Sequence, residues 1–147
     1  MQISGDTEKQ DDLCSMCQEA LPPAARKGIE LFNTGHYFEA HEELELAWRA
    51  EPRRVRDLYQ GILQVGVAYY HALRQNYTGS RKLFLRARRT LEGLPDTCQG
   101  VDLRRFRQDW ESVETEVIRL GAERLYQLNP YLMKPIPMIT EGASSEQ

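Results

Sequence analysis

The chain has 147 residues, a length at which one domain can bury its own hydrophobic core without disulfide or metal staples. Hydrophobic residues make up 41% and charged residues 28%, ordinary fractions for a globular protein. The net charge of -3 originates in residues 1–22, where five acidic residues face one lysine. The remainder is nearly neutral, so composition gives no reason to expect nucleic-acid or membrane affinity.

Residues 1–22 lack apolar periodicity, which predicts a flexible acidic tail. This tail does not have the basic and then apolar pattern of a signal peptide, and no apolar run approaches the roughly 18 residues of a membrane span. Three cysteines, an odd number, do not form the framework of a secreted domain, so we expect a cytoplasmic protein. Cys14 and Cys17 form a Cys-x-x-Cys half-motif, but it lacks a second pair and we expect no function for it.

Apolar periodicity predicts five helices after the tail. Pro22 and Pro23 mark the entry to the first helix, Gly35 ends it, and Pro52 follows the second. The third is apolar around nearly its whole circumference, which is typical of a helix in the middle of a bundle. The approximate bounds are 24–33, 37–50, 54–75, 79–91 and 103–120. Short connections favour antiparallel neighbours, so the predicted fold is all-α, a compact bundle of about five helices built from helical hairpins.

A weak internal repeat supports this architecture. The stretch "GHYFEAHEELELA" aligns with "QNYTGSRKLFLRA" at a forty-residue offset, which pairs Tyr37 with Tyr77 and Leu44 with Phe84. The pattern predicts two helical hairpins of tetratricopeptide-like local geometry. With two units and a longer period than that family uses, it does not predict a peptide-binding solenoid.

The C-terminal stretch "NPYLMKPIPMIT" contains three prolines and is therefore predicted to be extended. Its apolar part, residues 131–139, would pack along the bundle or serve a homodimer. The sequence thus divides into a tail at 1–22, a helical domain at 23–128 and an extended proline-containing tail at 129–147.

Polar residues on apolar helix faces mark a candidate site. Successive residues of an α-helix advance by about 100°, which places His41 on the core-facing stripe of the second helix and Glu45 one turn further on. The third helix carries a polar line on an otherwise apolar surface. Because an unsatisfied buried polar group costs on the order of 1–3 kcal/mol, we expect the two sets to face each other. The candidate cluster comprises Tyr37, His41, Glu45, Trp48, Gln60, Gln64 and His71.

The segments "FNTGHYFEAHEELELAWR" and "LYQGILQVGVAYYHALRQNYTGSRKLF" resemble a family of small all-helical proteins from bacteria, archaea and chloroplasts, classed as a domain of unknown function. The resemblance covers about residues 25–94. It implies the same helical fold and lends no chemistry, because the family has no assigned activity. The positions that correspond to the family signature are Asn33, Gly35, Glu39, His41, Glu42, Glu45, Trp48, Gln60, Gly61, Gln64 and His71.

Several functions fit the cluster. The simplest is a buried, hydrogen-bonded histidine–carboxylate pair in a non-enzymatic binding or scaffold domain, whose partner is an unknown protein or small molecule. One alternative is a hydrolase-like enzyme in which His41, Glu45 and His71 bind a divalent metal. Another makes His41 a general base oriented by Glu45. A binding pocket without chemistry would be lined by Tyr37, Trp48, Tyr59 and Tyr70.

The fourth predicted helix carries a basic solvent face, formed by Arg81, Lys82, Arg86, Arg88 and Arg89. Lys82, Arg86 and Arg89 line up one turn apart, which is the footprint of an RNA-phosphate or anion site. We favour the simpler interpretation, in which these charges meet acidic side chains elsewhere on the nearly neutral body.

Overall fold

The computed structural model describes residues 12–139. Residues 12–17 are helical and are labelled α1. Five longer helices follow: α2 (Pro23–Asn33), α3 (Tyr37–Ala50), α4 (Arg56–Leu73), α5 (Tyr77–Leu91) and α6 (Leu103–Arg124). A small antiparallel hairpin of β1 (Thr97–Cys98) and β2 (Val101–Asp102) connects α5 to α6. The predicted all-α class is confirmed. Among these helices none is both long and apolar enough to cross a membrane.

Helices α2 to α5 pack each against the next one along the chain, and α4 lies in the middle. Ten of the 18 residues of α4 are buried, which explains why its sequence is apolar on nearly every side. Aromatic rings fill the core between the elements. Phe84 of α5 stacks on Trp110 of α6 with ring centroids 5.9 Å apart, and Phe32 of α2 meets Phe106 of α6 at 6.1 Å.

The two helical hairpins, α2–α3 and α4–α5, turn in the same way. At each turn the backbone enters the left-handed region, at Gly35 with φ 81° and at Gln75 with φ 60°. The amide of the next residue then donates to the carbonyl oxygen five residues earlier, which is the Schellman arrangement. Leu44 and Phe84, the paired positions of the repeat, are both fully buried. The forty-residue sequence repeat therefore corresponds to a repeat in the structure.

Within the predicted tail at 1–22, the described residues 12–22 include an ordered helix packed on the core. Leu13, Met16 and Cys17 share one face of α1 at three- and four-residue spacing, and all three are buried. Cys17 also forms a disulfide with Cys98 in β1, although the cysteine count suggested no such framework. The apolar face is too short to stand out as a periodic pattern in the sequence. Residues 1–11 lie outside the described chain.

The C-terminal segment pairs with the β1–β2 hairpin, where Val101 forms an antiparallel bridge with Met138. Gly121, with φ 69° and ψ 178°, interrupts the helical backbone of α6, and two short 3-10 helices follow at Leu125–Gln127 and Pro130–Leu132. The chain is then extended, as predicted, and Ile136 is buried with its amide donating to Oδ1 of Asn33 at 2.8 Å. Residues 140–147, the end of the predicted tail, lie outside the described part.

Candidate functional site

A groove of about 320 Å³ opens between α3, α4 and α5. We term it the polar groove, because polar side chains of α3 and polar side chains of α4 both line it. Its walls are formed by His41, Glu45, Trp48, Gln60, Leu63, Gln64, Val67, Leu83 and Arg86. Five of the seven residues of the predicted cluster thus line one concavity, supplied by facing turns of α3 and α4.

His41 and Glu45 lie at the mouth of the polar groove. Their side chains are 35% and 33% exposed, so this pair is half-buried and not fully buried as expected. Nε2 of His41 is 3.8 Å from Oε2 of Glu45, which is longer than a hydrogen bond. Glu45 instead accepts a hydrogen bond of 2.8 Å from the guanidinium of Arg49, one turn further along α3. An exposed pair of this kind adds little stability, so it does not fix the helix register.

Gln64 lies at the floor of the groove and is 8% exposed. Its side-chain oxygen, Oε1, is buried and has no hydrogen-bond donor within the described chain. Gln60, one turn earlier on α4, is half-buried on the same line. The floor therefore presents an amide whose hydrogen-bonding capacity is not used by the fold itself.

Trp48 forms the rim of the groove together with an arginine from α4. The guanidinium carbon of Arg56 lies 4.4 Å from the centroid of the Trp48 ring, within cation–π range. One face of the indole is therefore covered by the protein's own cation. The tryptophan supplies a rigid wall instead of an open stacking surface.

A smaller cavity of about 160 Å³ adjoins the groove, and we term it the aromatic pocket. It is lined by Tyr37, Phe38, His41, Val67, Tyr70 and His71. His41 and Val67 line both concavities and form the ridge between them. The ring of Phe38 lies 5.9 Å from that of Tyr70 and 6.2 Å from that of His41, and Phe38 is 52% exposed. Phe38 and Tyr70 thus flank the mouth of the aromatic pocket, whose lining is largely apolar.

His71 takes its partner from the α4–α5 turn. The Oδ1 atom of Asn76 accepts from the amide of Gly79, which leaves Nδ2 of Asn76 to face Nδ1 of His71 at 3.2 Å. Since that amide nitrogen can only donate, Nδ1 of His71 is the acceptor in this hydrogen bond. His71 therefore contributes to the aromatic pocket and not to the polar groove that contains Glu45.

This separation corrects the metal-site hypothesis for His41, Glu45 and His71. Across residues 12–139, no three histidine, cysteine, aspartate or glutamate side chains are grouped so that they could hold a metal ion. A zinc or iron site needs such ligands together around one point. The general-base hypothesis also loses support, because a base is normally held by a hydrogen bond to its orienting group and His41 is too far from Glu45 for one.

The tyrosines are distributed differently from the predicted pocket. Tyr59 lies away from it, buried, with its hydroxyl donating at 2.7 Å to Oε1 of Gln99 in the β1–β2 turn. Burial raises the pKa of Tyr59 to about 12 and also raises the pKa of Tyr37. Both hydroxyl groups therefore stay protonated at neutral pH.

The basic face of α5 is only partly neutralised. Arg88 pairs with the buried carboxylate of Glu114 on α6 at 2.6 Å, and Arg81 donates to the hydroxyl of Tyr77. Lys82, Arg86 and Arg89 are exposed and have no carboxylate partner among the residues that the structure describes. The favoured interpretation of the basic face thus holds for Arg88 alone, and Arg86 reaches the polar groove.

Sequence reasoning missed Phe38 and Leu83 as lining residues. Phe38 stands one turn before His41 on α3, and Leu83 one turn before Arg86 on α5, so helical spacing alone could have found both. An exposed phenylalanine beside a candidate histidine was the available signal, since large apolar side chains are usually buried.

Comparisons with known proteins place this site within a recognised segment. Residues 25–83 match the family described as Domain of unknown function (DUF309), which confirms the resemblance seen in the sequence. The chain is also similar to the uncharacterized protein YpuF of Bacillus subtilis strain 168, with 33% identity over 97 residues. That similarity covers 64% of this chain and 56% of the relative's length. The matched segment contains every residue of the aromatic pocket and all of the polar groove except Arg86.

Proposed function

We propose that this domain is a non-catalytic, cytoplasmic binding module, and that the polar groove and the aromatic pocket together take a peptide segment of a partner protein. The observation that carries the proposal is the unpaired Oε1 atom of Gln64 on the groove floor. A buried acceptor without a donor costs about 1–3 kcal/mol, which a bound donor would recover. Because buried polar groups are normally hydrogen-bonded, this unpaired oxygen favours the interpretation that Gln64 binds a ligand over the interpretation that it has a purely structural role.

The chemistry of the groove favours a ligand rich in hydrogen-bond donors. Gln64 and Gln60 offer amide oxygens, and Glu45 offers a carboxylate at the mouth. A peptide backbone presents N–H groups along its length and therefore matches a row of acceptors better than an acceptor-rich phosphate or sugar acid would. Arg86, on the opposite wall, would meet the carbonyl oxygens or an acidic side chain of the same segment.

The size of the aromatic pocket favours a single apolar side chain as the anchor. At about 160 Å³ it is smaller than the roughly 300–1,000 Å³ typical of cavities for drug-sized ligands. Phe38 and Tyr70 provide aromatic walls, which is the composition typical of binding hot spots. Because His41 and Val67 border both concavities, an anchor in the pocket would leave the adjoining backbone over the groove.

The ridge residue Val67 offers a direct test. In Val67→Trp the indole would fill the space that the anchor and the backbone share. Ile118→Trp is the matched control, because Ile118 is an exposed aliphatic residue of α6 that lines neither concavity. A random peptide library would be selected on the full chain, and the affinity of the enriched peptides would then be measured on the wild type and both variants. Circular dichroism would establish that each variant is folded.

We expect the enriched peptides to bind the wild type and Ile118→Trp equally and to lose at least about tenfold in affinity for Val67→Trp, or about 1.4 kcal/mol. Nuclear magnetic resonance of the wild type should show the bound peptide shifting the side-chain signals of Gln60 and Gln64. Peptides that bind Val67→Trp as well, or that shift signals on α6 instead, would overturn the proposal. If small-molecule fragments bound the groove and no peptide did, the peptide proposal would be wrong and the ligand would be a small metabolite.

A second candidate function is anion binding by α5. It is favoured by Lys82, Arg86 and Arg89, which form an exposed stripe without carboxylate partners in the described chain. Binding to RNA through this stripe should weaken steeply with salt, because phosphate contacts release counterions. Changing the three residues to glutamine should abolish it, and binding that is insensitive to salt would exclude this function.

A further inference from the structure

The three cysteines occupy unequal positions at one end of the bundle. Cys17 and Cys98 form a disulfide that spans 81 residues of sequence, and the two residues are 7% and 0% exposed. Cys14 is a free, exposed cysteine on the same helix α1, three residues before Cys17. A buried disulfide is shielded from a reductant in solution, whereas the thiol beside it is not.

The disulfide fastens the N-terminal segment onto the β1–β2 turn, where further contacts surround it. The side-chain amide of Gln99 donates to the carbonyl oxygen of Met16 at 3.0 Å, and its oxygen accepts from the hydroxyl of Tyr59. Arg53 binds Glu19 through two hydrogen bonds of 3.0 and 2.9 Å. The segment thus retains several non-covalent contacts when the disulfide is open.

We propose that Cys14 is a thiol–disulfide exchange site through which a dithiol reductant opens the Cys17–Cys98 bond. The thiolate of Cys14 attacks Sγ of Cys17, a new Cys14–Cys17 bond forms, and Cys98 leaves as a thiolate that takes up a proton. This first step is an isomerisation with no net oxidation or reduction. The Cys14 end of the new disulfide is exposed, so a soluble dithiol can attack it there, reduce the bond to two thiols and be oxidised to a disulfide itself.

Helix geometry permits the exchange. Residues three apart lie on the same face with Cβ atoms about 5–6 Å apart, and a disulfide needs roughly 3.8 Å. The helical stretch must therefore tighten locally. Cys17 is the last residue of this helical stretch, and helix ends fray readily, so the adjustment falls where the backbone yields most easily. In the reducing cytoplasm expected from the sequence, disulfides are usually transient and redox-sensing, which is the behaviour this arrangement supplies.

The test compares the oxidised full-length chain with two variants. In Cys14→Ser the exchange thiol is absent. In Cys14→Ser/Ser15→Cys an exposed thiol is restored one residue later, where it points to another side of the helix than Cys17 does. Reduction by dithiothreitol would be followed by alkylation and mass spectrometry of each cysteine, under conditions in which circular dichroism shows the fold to be intact.

We expect both variants to be reduced at least about tenfold more slowly than the wild type. In the wild type held without reductant, alkylation should trap a minor Cys14–Cys17 species in which Cys98 is labelled. Blocking Cys14 of the folded wild type with iodoacetamide should slow reduction as the substitution does, which makes the result independent of any effect of the serine on folding. Equal reduction rates for all forms would overturn the proposal, and so would a wild type in which Cys17 and Cys98 are not bonded.

Discussion

Gly61 sets the distance between the two helices of the second hairpin. A Cβ atom added at this position of α4 would lie 2.2 Å from Cδ2 and 2.5 Å from Cγ of Leu91 on α5. Carbon atoms in favourable contact are about 3.5–4.0 Å apart, so the leucine would have to retreat by more than about 1 Å. Leu91 is 1% exposed, so the side chain that would have to move is itself part of the buried core.

Two opposing effects decide the stability of Gly61→Ala. Alanine in a helix interior is favoured over glycine by about 1 kcal/mol. Forcing an extra carbon into a packed core typically costs about 1–3 kcal/mol, and two atoms of one side chain overlap here, which places the cost at the upper end. We therefore expect a net loss of about 1–2 kcal/mol in the free energy of unfolding, measured by urea denaturation followed by circular dichroism.

Gly66→Ala is the matched control in the same helix. There the added Cβ would first meet Cδ2 of Phe32 at 3.3 Å, so a shift of a few tenths of an ångström suffices. We expect a change within about 1 kcal/mol of zero, because the helix-propensity gain meets little opposition. Gly61→Ala combined with Leu91→Ala should cost less than the sum of the two single changes, since the clash disappears. A Gly61→Ala protein as stable as the wild type would refute the close-approach interpretation.

Three further outcomes are expected. Gln75→Gly should stabilise the fold by about 0.5–1 kcal/mol, because a left-handed backbone strains a non-glycine residue and glycine's greater unfolded-state entropy offsets only part of the relief; a lower melting temperature would contradict this. Tyr59→Phe should cost about 1–3 kcal/mol in urea unfolding by leaving Oε1 of Gln99 without its donor, and an unchanged midpoint would exclude that bond. The hydrogen bonds of Arg53 lower the pKa of Glu19 and the pKa of Glu51 below their usual value of 4.5. The stabilisation is therefore present above that usual value and is lost as the pH falls through the lowered pKa, so Arg53→Gln should flatten the acid limb of a stability–pH curve.

The helical part of the fold was predictable because local signals agree with the tertiary structure. The bounds of α3, Tyr37–Ala50, coincide with the prediction, since a turn glycine and a following proline delimit it in the sequence. Helix α4, the third of the predicted helices, is shorter than predicted. It spans Arg56–Leu73, because residues 74–76 form the turn of the second hairpin. Gln75 adopts the conformation that Gly35 adopts in the first turn, and glutamine gives no sequence signal for it.

The tertiary partners of the site residues could not be predicted in the same way. Helical periodicity places Glu45 and His71 on inward faces but says nothing of the rotation of α3 against α4. In the structure each of these side chains has a partner close in sequence instead, since His71 faces Asn76 of the following turn and Glu45 accepts from Arg49 one turn along α3. The Cys17–Cys98 connection was beyond reach for a related reason, because cysteine connectivity depends on which distant loops meet.

The β1–β2 hairpin has a mechanical consequence. It holds the N-terminal segment through the Cys17–Cys98 bond and the C-terminal segment through the amide of Ile139, which donates to the carbonyl oxygen of Gly100 at 2.7 Å. A force that pulls residues 17 and 139 apart is therefore carried across the hairpin and bypasses the helical hairpins that form the groove. With the disulfide closed, the hydrogen bonds at the C-terminal side yield first. With the disulfide open, the contacts of Gln99 also carry the load. Whether the two cysteines are oxidised or reduced therefore determines how tension between residues 17 and 139 is transmitted.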